Sequence, residues 1–211
     1  MKPVPAEMRP SDHGQVLTAA FYQRTDVVRI AQDLIGKALV TTFDGERTVG
    51  LITETEAYAG IGDRASHAFG GKRTARTDPM YQNGGIAYVY LCYGMHHLFN
   101  VVTHRSGTPH AVLIRAVVPI EGLEMIHRRR GTGTLRTDGP ALLTKALGIR
   151  TEHTGLDLSQ GPITIEDHGV RIPRSAIIIG PRIGVDYAGD DALLPYRFRI
   201  APSHPILRST R

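Results

Sequence analysis

The sequence predicts an α+β fold, a mixed sheet with helices at its ends, and three observations carry that expectation. Two apolar runs meet at Asp44-Gly45, a dipeptide suited to a tight hairpin turn. Two segments with helical apolar spacing, one after Asp26 and one after Gly139, each carry a start signal and end at a glycine. Several further short runs rich in Val, Ile and Tyr are separated by turn residues.

Taken in order, Ser11 or Asp12 can cap a first short helix. Asp26 can cap a second, in which Val27, Ile30, Ala31, Leu34 and Ile35 fall on one face and Gly36 is a natural stop. Residues 37–43 read as a strand and residues 48–58 as its antiparallel partner. Residues 59–80 are rich in Gly, Arg, Thr and Asp without periodicity, which predicts a long and therefore functional loop. Strands at 86–91 and 97–103 flank the turn Cys92-Tyr93-Gly94-Met95, and 111–118 is a third. Pro119 stands where a helix could begin, with Ile120, Leu123, Met125 and Ile126 as its apolar contacts. Gly139-Pro140 opens another helix through Leu142, Leu143, Ala146 and Leu147 to Gly148. Short strands are expected at 163–166, 176–179 and 196–200.

With 211 residues, 41% of them hydrophobic, the chain can bury an ordinary core in one domain. A formal charge of +5 favours polyanionic partners, and arginine supplies 21 of the 25 basic residues. Arginine pairs bidentately with phosphate, although the bias can also reflect the base composition of a genome. A single cysteine, Cys92, excludes an internal disulfide framework. No signal peptide or membrane-length apolar run is present, so a cytoplasmic protein is expected, associated with the nucleoid in a bacterium.

Residues 54–100 concentrate the chemistry. Five of the eight tyrosines lie between positions 58 and 93. Strand periodicity puts Glu54, Glu56 and Tyr58 on one face, where burial can raise a carboxylate's pKa while tyrosine rings hold a planar ligand. A solvated strand face is the plain alternative, and the neighbouring tyrosines with His67 argue against it. Tyr93-Gly94 at a hairpin tip offers a ring that can wedge into a base stack or pack on its own hairpin. His67 can donate to a base edge, stack on it, or be a surface histidine. His96 and His97 are adjacent and point to opposite faces, and no metal-ligand spacing occurs, so neither metal nor cofactor is expected. The stretch from Gly70 to Arg76 lacks Walker spacing and can either grip a DNA phosphate through its amides and arginines or be a solvated loop. Cys92 near a histidine suggests a thiol nucleophile, but beside Leu91 in an apolar strand it reads as a packed and inert thiol; Arg128-Arg129-Arg130 can favour a helix dipole or DNA, or be only the solvated end of a helix.

The strings Glu54-Thr-Glu56-Ala-Tyr58, Tyr88-Val-Tyr90 with Tyr93-Gly94-Met95, and Val112-Leu-Ile-Arg115-Ala116 followed by Pro119-Ile-Glu121-Gly122 resemble the alkyladenine (3-methyladenine, methylpurine) DNA glycosylases. The likeness runs from Phe21-Tyr22 through Gly139-Pro140 to Arg182-Ile-Gly184-Val185. It implies one glycosylase domain over residues 1–211: a mostly antiparallel curved sheet flanked by helices, with a protruding hairpin for the DNA minor groove. Carried over by position, Glu56 is the general base that activates water, and Arg115 positions that water and the sugar-phosphate. Tyr58, His67 and Tyr90 wall the base pocket and Asn100 gates it against the guanine amino group, while Tyr93 fills the gap in the duplex with Met95 supporting the hairpin. His96 and His97 stand where aromatic or apolar residues are expected in that family.

The activity implied is monofunctional excision of alkylated or deaminated purines, such as 3-methyladenine and hypoxanthine, by a monomer acting on damaged double-stranded DNA. Two other classes fit parts of the pattern. A non-enzymatic nucleic-acid-binding module would not need Glu56, and a small-substrate glycosidase would use Glu54 and Glu56 as its carboxylate pair.

Overall fold

A computed structural model describes residues 14–131 and 135–208. The expected cap at Ser11 or Asp12 lies outside the described residues, which open with strand β1 (Gln15–Val16) and the single-turn helix α1 (Ala19–Tyr22). Helix α2 (Val27–Asp33) begins where the sequence places it, because the Asp26 carboxylate accepts the Arg29 N–H at 2.9 Å. Strands β2 (Ala38–Phe43) and β3 (Glu46–Tyr58) meet at Asp44-Gly45, both with positive φ (53° and 78°), the backbone a two-residue hairpin turn requires. Strands β4 (Ala87–Cys92), β5 (His96–Thr103) and β6 (His110–Glu121) follow, then α3 (Leu123–Arg130) and α4 (Pro140–Leu147). Strands β7 (Ile163–Asp167), β8 (Ile177–Gly180) and β9 (Arg197–Ile200) complete the sheet.

The sheet order is β1-β7-β2-β3-β6-β5-β4, with β9 pairing β3 and β8 pairing β9. Every strand pair is antiparallel, which corrects the mixed sheet read from the residue pattern alone. Strand β3 pairs with β2 up to Leu51 and with β9 from Glu54 to Glu56, so the sheet forks along its longest strand. The fork coincides with register shifts between Ile52 and Thr55, where bulging bends the strand. The core lies between this sheet and α2 and α4, where Ile30, Ala31, Leu34, Leu143, Ala146 and Leu147 are buried. Two buried threonines tie helix to sheet: Thr55 donates to the Ala31 carbonyl and Thr41 to that of Leu147, each at 2.8 Å.

One expected helix start moves. Pro119 lies within β6, not at the head of a helix, and helix α3 starts four residues later after Gly122. The missing proline N–H is tolerated because the ladder is already broken there, Val49 pairing with Glu121 and Gly50 with Pro119. The three arginines after it belong to the last turn of α3, where cations meet the negative end of the helix dipole. Arg130 is buried and Arg129 half-buried, so the run is not a solvated end. Among the described residues no helix is long and apolar enough to cross a membrane.

Gly122 fixes the β6–α3 corner. Its φ is +70°, and a Cβ there would stand 2.4 Å from the Arg47 carbonyl oxygen, which is backbone and cannot swing away. Gly122→Ala is therefore expected to destabilise the protein by at least about 2 kcal/mol. Urea unfolding midpoints compared at constant m-value check this.

Candidate active site

Three strands and one irregular segment build the site. The period of β3 puts Glu54, Glu56 and Tyr58 on the face away from α2, while Thr55 and Ala57 turn to the core. On β6 the register steps from Ala116, opposite Glu54, to Ile114, opposite Thr55, leaving Arg115 as the extra residue of a bulge. A bulge re-aims the side chain it carries. Here Arg115 reaches both acids, with Nε 3.1 Å from Glu54 Oε1 and Nη1 3.2 Å from Glu56 Oε2. Arg197 of β9 holds Glu54 a second time at 2.7 Å.

Glu56 has no solvent exposure. Its Oε2 accepts from Tyr58 Oη at 2.9 Å and from Arg115, and its Oε1 accepts the Ile183 N–H at 2.8 Å. Burial pushes the Glu56 carboxyl pKa above the usual carboxylate value; the Arg115 charge, the Ile183 amide and the Tyr58 hydroxyl pull it back without cancelling the rise. Burial, with the Glu56 charge beside it, keeps the Tyr58 phenol firmly protonated.

Glu56 does not itself line a cavity, but its three partners Tyr58, Arg115 and Ile183 line one of about 220 Å³ together with Tyr90, His67 and Asn100, among others. The rings are braced by one another. His67 meets Tyr90 edge-on at 4.6 Å, and its Nδ1 is 2.9 Å from Tyr88 Oη. Arg76 lies 4.9 Å from the Tyr90 ring centroid, with Nη2 3.4 Å from His67 Nε2. Arginine can only donate, so this contact assigns the proton of His67 to Nδ1 and leaves Nε2 as an acceptor, not the donor expected from sequence. Burial, with the nearby charges of Arg76 and Lys72, lowers the His67 pKa to about 4. Asn100 is buried on β5, its amide nitrogen donating to the carbonyls of Tyr88 and Leu98.

Tyr93 and Met95 stand at the exposed β4–β5 tip, Tyr93 being 88% exposed. The tip is bent by two left-handed residues, Tyr93 (φ 52°) and Gly94 (φ 70°). Cys92 corrects one expectation: it is half-exposed at the end of β4 and lines the cavity, because the strand leaves the core before the turn. In the 70–76 stretch, exposed Arg73 pairs with Asp78 on the surface and exposed Arg76 lies over Tyr90. Among the described residues no three His, Cys, Asp or Glu side chains gather as a metal site.

The sequence reading missed the second tier of the site. Arg182 and Asp63 form a buried pair at 2.5 and 2.8 Å, and Arg182 also bonds the carbonyls of Ala57 and Asp191. Asp63 in turn accepts the N–H groups of Ala59 and Ala65. The guanidinium of Arg182 lies 4.8 Å from the Tyr58 ring centroid and 5.3 Å from that of Tyr196. The string Arg182-Ile-Gly184-Val185 was the available signal, but nothing near Asp63 announces its partner 119 residues away. Tyr187, 71% exposed on the cavity rim with its hydroxyl on the Ala65 carbonyl, carried no signal.

Residues 20–204 match the model of the family described as Methylpurine-DNA glycosylase. The chain is 44% identical over 187 residues to a protein of Chlamydia felis, spanning 87% of this chain and 95% of that protein. It is 47% identical over 190 residues to one of Myxococcus xanthus, spanning 90% and 92%. A Bacillus thuringiensis protein is 42% identical over 190 residues, spanning 85% and 92%. All three carry the name "Putative 3-methyladenine DNA glycosylase".

The neutral state of His67 is directly measurable. In a long-range ¹H–¹⁵N titration its ring is expected to stay neutral, protonated on Nδ1, from pH 8 down to about pH 5. A midpoint near the ordinary histidine value of about 6.5 would contradict the packing described.

Proposed function

This chain belongs to the methylpurine-DNA glycosylase family, and on that premise we propose that it is a monofunctional DNA glycosylase of base excision repair. It takes alkylated or deaminated purines out of duplex DNA, hydrolyses the N-glycosidic bond, and leaves an abasic site, with residues 1–211 acting as one domain. The observation that carries this reading is Glu56: a carboxylate without solvent exposure, held by Arg115, Tyr58 and the Ile183 N–H, three groups whose residues line a tyrosine-walled cavity.

In this mechanism the damaged nucleotide rotates out of the helix, at a cost of a few kcal/mol that is smaller for a damaged or mispaired base. Tyr93, at the exposed tip, fills the vacancy, with Met95 beside it. The purine enters between Tyr58, Tyr90 and His67. His67 Nε2 accepts from the base edge in exchange for its contact with Arg76, and buried Asn100 disfavours the guanine amino group. A water at the cavity floor attacks C1′; Glu56 accepts its proton, and the C1′–N9 electron pair leaves with the base. A cationic base such as 3-methyladenine leaves neutral, whereas hypoxanthine must also take up a proton. The negative charge of Glu56 stabilises the positive sugar of the transition state, while Glu54 is held by Arg115 and Arg197. Release of the base needs no amine, and no lysine lines the cavity.

Two outcomes test the reading. Glu56→Gln is expected to slow single-turnover release of 3-methyladenine from a lesion-bearing duplex by about 10²–10⁴-fold. The same variant should be at least as stable as wild type at pH 7. A raised folded-state pKa means that Glu56 favours the fold most when protonated, and that this contribution is lost as pH rises through the folded pKa. The wild-type rate on this cationic lesion should fall with acid through a pKa above the ordinary glutamate value, and the limb should vanish in Glu56→Gln. Undiminished release in the variant would remove Glu56 from the chemistry, and no release by wild type with duplex binding equal in the two proteins would instead favour a binding module. Borohydride is expected to trap no covalent protein–DNA adduct, since Schiff-base chemistry requires an amine in the site.

A further inference from the structure

Glu56 shares its strand face with a second acid. Glu54, half-buried and two residues earlier on β3, divides Arg115 with it: the guanidinium gives its Nε–H to Glu54 Oε1 at 3.1 Å and an Nη1–H to Glu56 Oε2 at 3.2 Å. Neither acid therefore receives the two parallel bonds of a full guanidinium–carboxylate fork. Glu54 Oε1 also accepts the Nε–H of Arg197 at 2.7 Å. On the β3–β9 ladder Arg197 stands opposite Glu56, yet its side chain runs diagonally to Glu54, so the second arginine is committed to that acid and not to Glu56. The charged and titratable groups that face Glu56 are Glu54 and Tyr58 from β3, Arg115 from β6, Arg197 from β9, and Arg182, itself paired with Asp63, from the segment after β8. Arg199, opposite Glu54 on the same ladder, makes no ion pair among the described residues.

We infer that Glu54 is a positioning residue for base release, holding Arg115 by its Nε so that Glu56 keeps a single guanidinium bond and stays ready to take the proton of water. The inference rests on the glycosylase reading and adds a residue to it. Glu54 does not line the cavity, so it acts through Arg115 and not on the substrate. Without its charge the Arg115 guanidinium would be free to turn wholly onto Glu56, and a carboxylate neutralised that completely is a poor base. Burial is the first cause of the raised Glu56 pKa, Arg115, the Ile183 amide and Tyr58 lower it, and the Glu54 charge adds to the rise. Arg197 completes the device, because it anchors Glu54 from the far side and leaves two acids balanced by two arginines.

The test compares wild type with Glu54→Gln, which keeps the shape and an acceptor oxygen but removes the charge, and with Arg197→Gln. In single-turnover release of 3-methyladenine, Glu54→Gln is expected to move the acid limb set by Glu56 down by about one pH unit, because two arginines then face one carboxylate. Its rate above both limbs should fall, since Glu56 has become a weaker base. Arg197→Gln is expected to move the limb up, because two carboxylates then share Arg115. A role in packing alone would lower the stability of both variants and leave the limb in place. The same two displacements are read without substrate from the carboxyl ¹³C titration of Glu56 in the free protein, assigned by its absence in Glu56→Gln. Opposite displacements support the inference; limbs and titrations that stay put, or that move in the same direction in both variants, overturn it. If one variant fails to fold, the direction of the other decides. Base release by wild type with unmoved titrations leaves the glycosylase reading standing without Glu54, whereas absence of release sinks that reading and leaves the carboxyl titration to decide whether Glu54 tunes Glu56.

Discussion

An ionisable group fully withdrawn from water must be compensated or neutralised, and Glu56 is the place where this fold meets that demand. Its three donors come from β3 itself, from the bulge on β6 and from the segment after β8. Those pieces are far apart in sequence, so the carboxylate can be solvated by protein only when the sheet has closed with the right register. The compensation is incomplete, since the pKa still lies above its ordinary value. That residue of instability is useful chemistry, because a carboxylate with a raised pKa is a stronger base at neutral pH.

The Asp63–Arg182 pair makes this arrangement repeatable. Both side chains are shielded, at 2% and 0% exposure, yet both are richly hydrogen-bonded: Asp63 by Arg182 and two backbone amides, Arg182 by Asp63 and two carbonyls. A buried pair bonded in this way, with Arg182 Nε alone of these atoms left without a hydrogen-bond partner, adds little net stability over an apolar substitute, but removing one partner strands a charge and typically costs about 3–5 kcal/mol. Its consequence here is positional. Arg182 immediately precedes Ile183, whose N–H bonds Glu56, and its guanidinium lies close to the Tyr58 ring. The loop at 59–65, the end of β3 and the 182–191 segment are thereby locked to the same few atoms.

Much of this was legible in the residues. The Asp26 cap, the Asp44-Gly45 turn and the Gly139-Pro140 start report local backbone needs, which short-range sequence encodes directly. Alternation along β3 put Glu54, Glu56 and Tyr58 on one face for the same reason. Bulges were not legible, because a register shift is set by the partner strand, and so Pro119 read as a helix start. The Ile183 N–H could not be found by residue type, since every residue but proline offers one. Arg128-Arg129-Arg130 read as solvated because helical spacing alone does not say that α3 packs its last turn against α4.

The hairpin divides the molecule's polar chemistry in two. One face carries a neutral histidine, tyrosine rings and a paired carboxylate, and suits an uncharged or cationic planar base. The other carries Arg129, Lys145 and Arg150 together with Asp44 and Glu152. Between them, Tyr93 is held with a positive φ that costs a non-glycine residue energy, and its ring has almost no contact with the rest of the chain. A strained, exposed aromatic gains little inside the free protein and much when buried in a base stack. In the proposed mechanism, ring insertion at the tip would supply free energy before any base enters the cavity. That order matters, because unstacking a nucleotide is unfavourable by a few kcal/mol and must be offset by contacts already made. A protein whose affinity resided only in the base pocket would have to open every base pair to learn whether it was damaged.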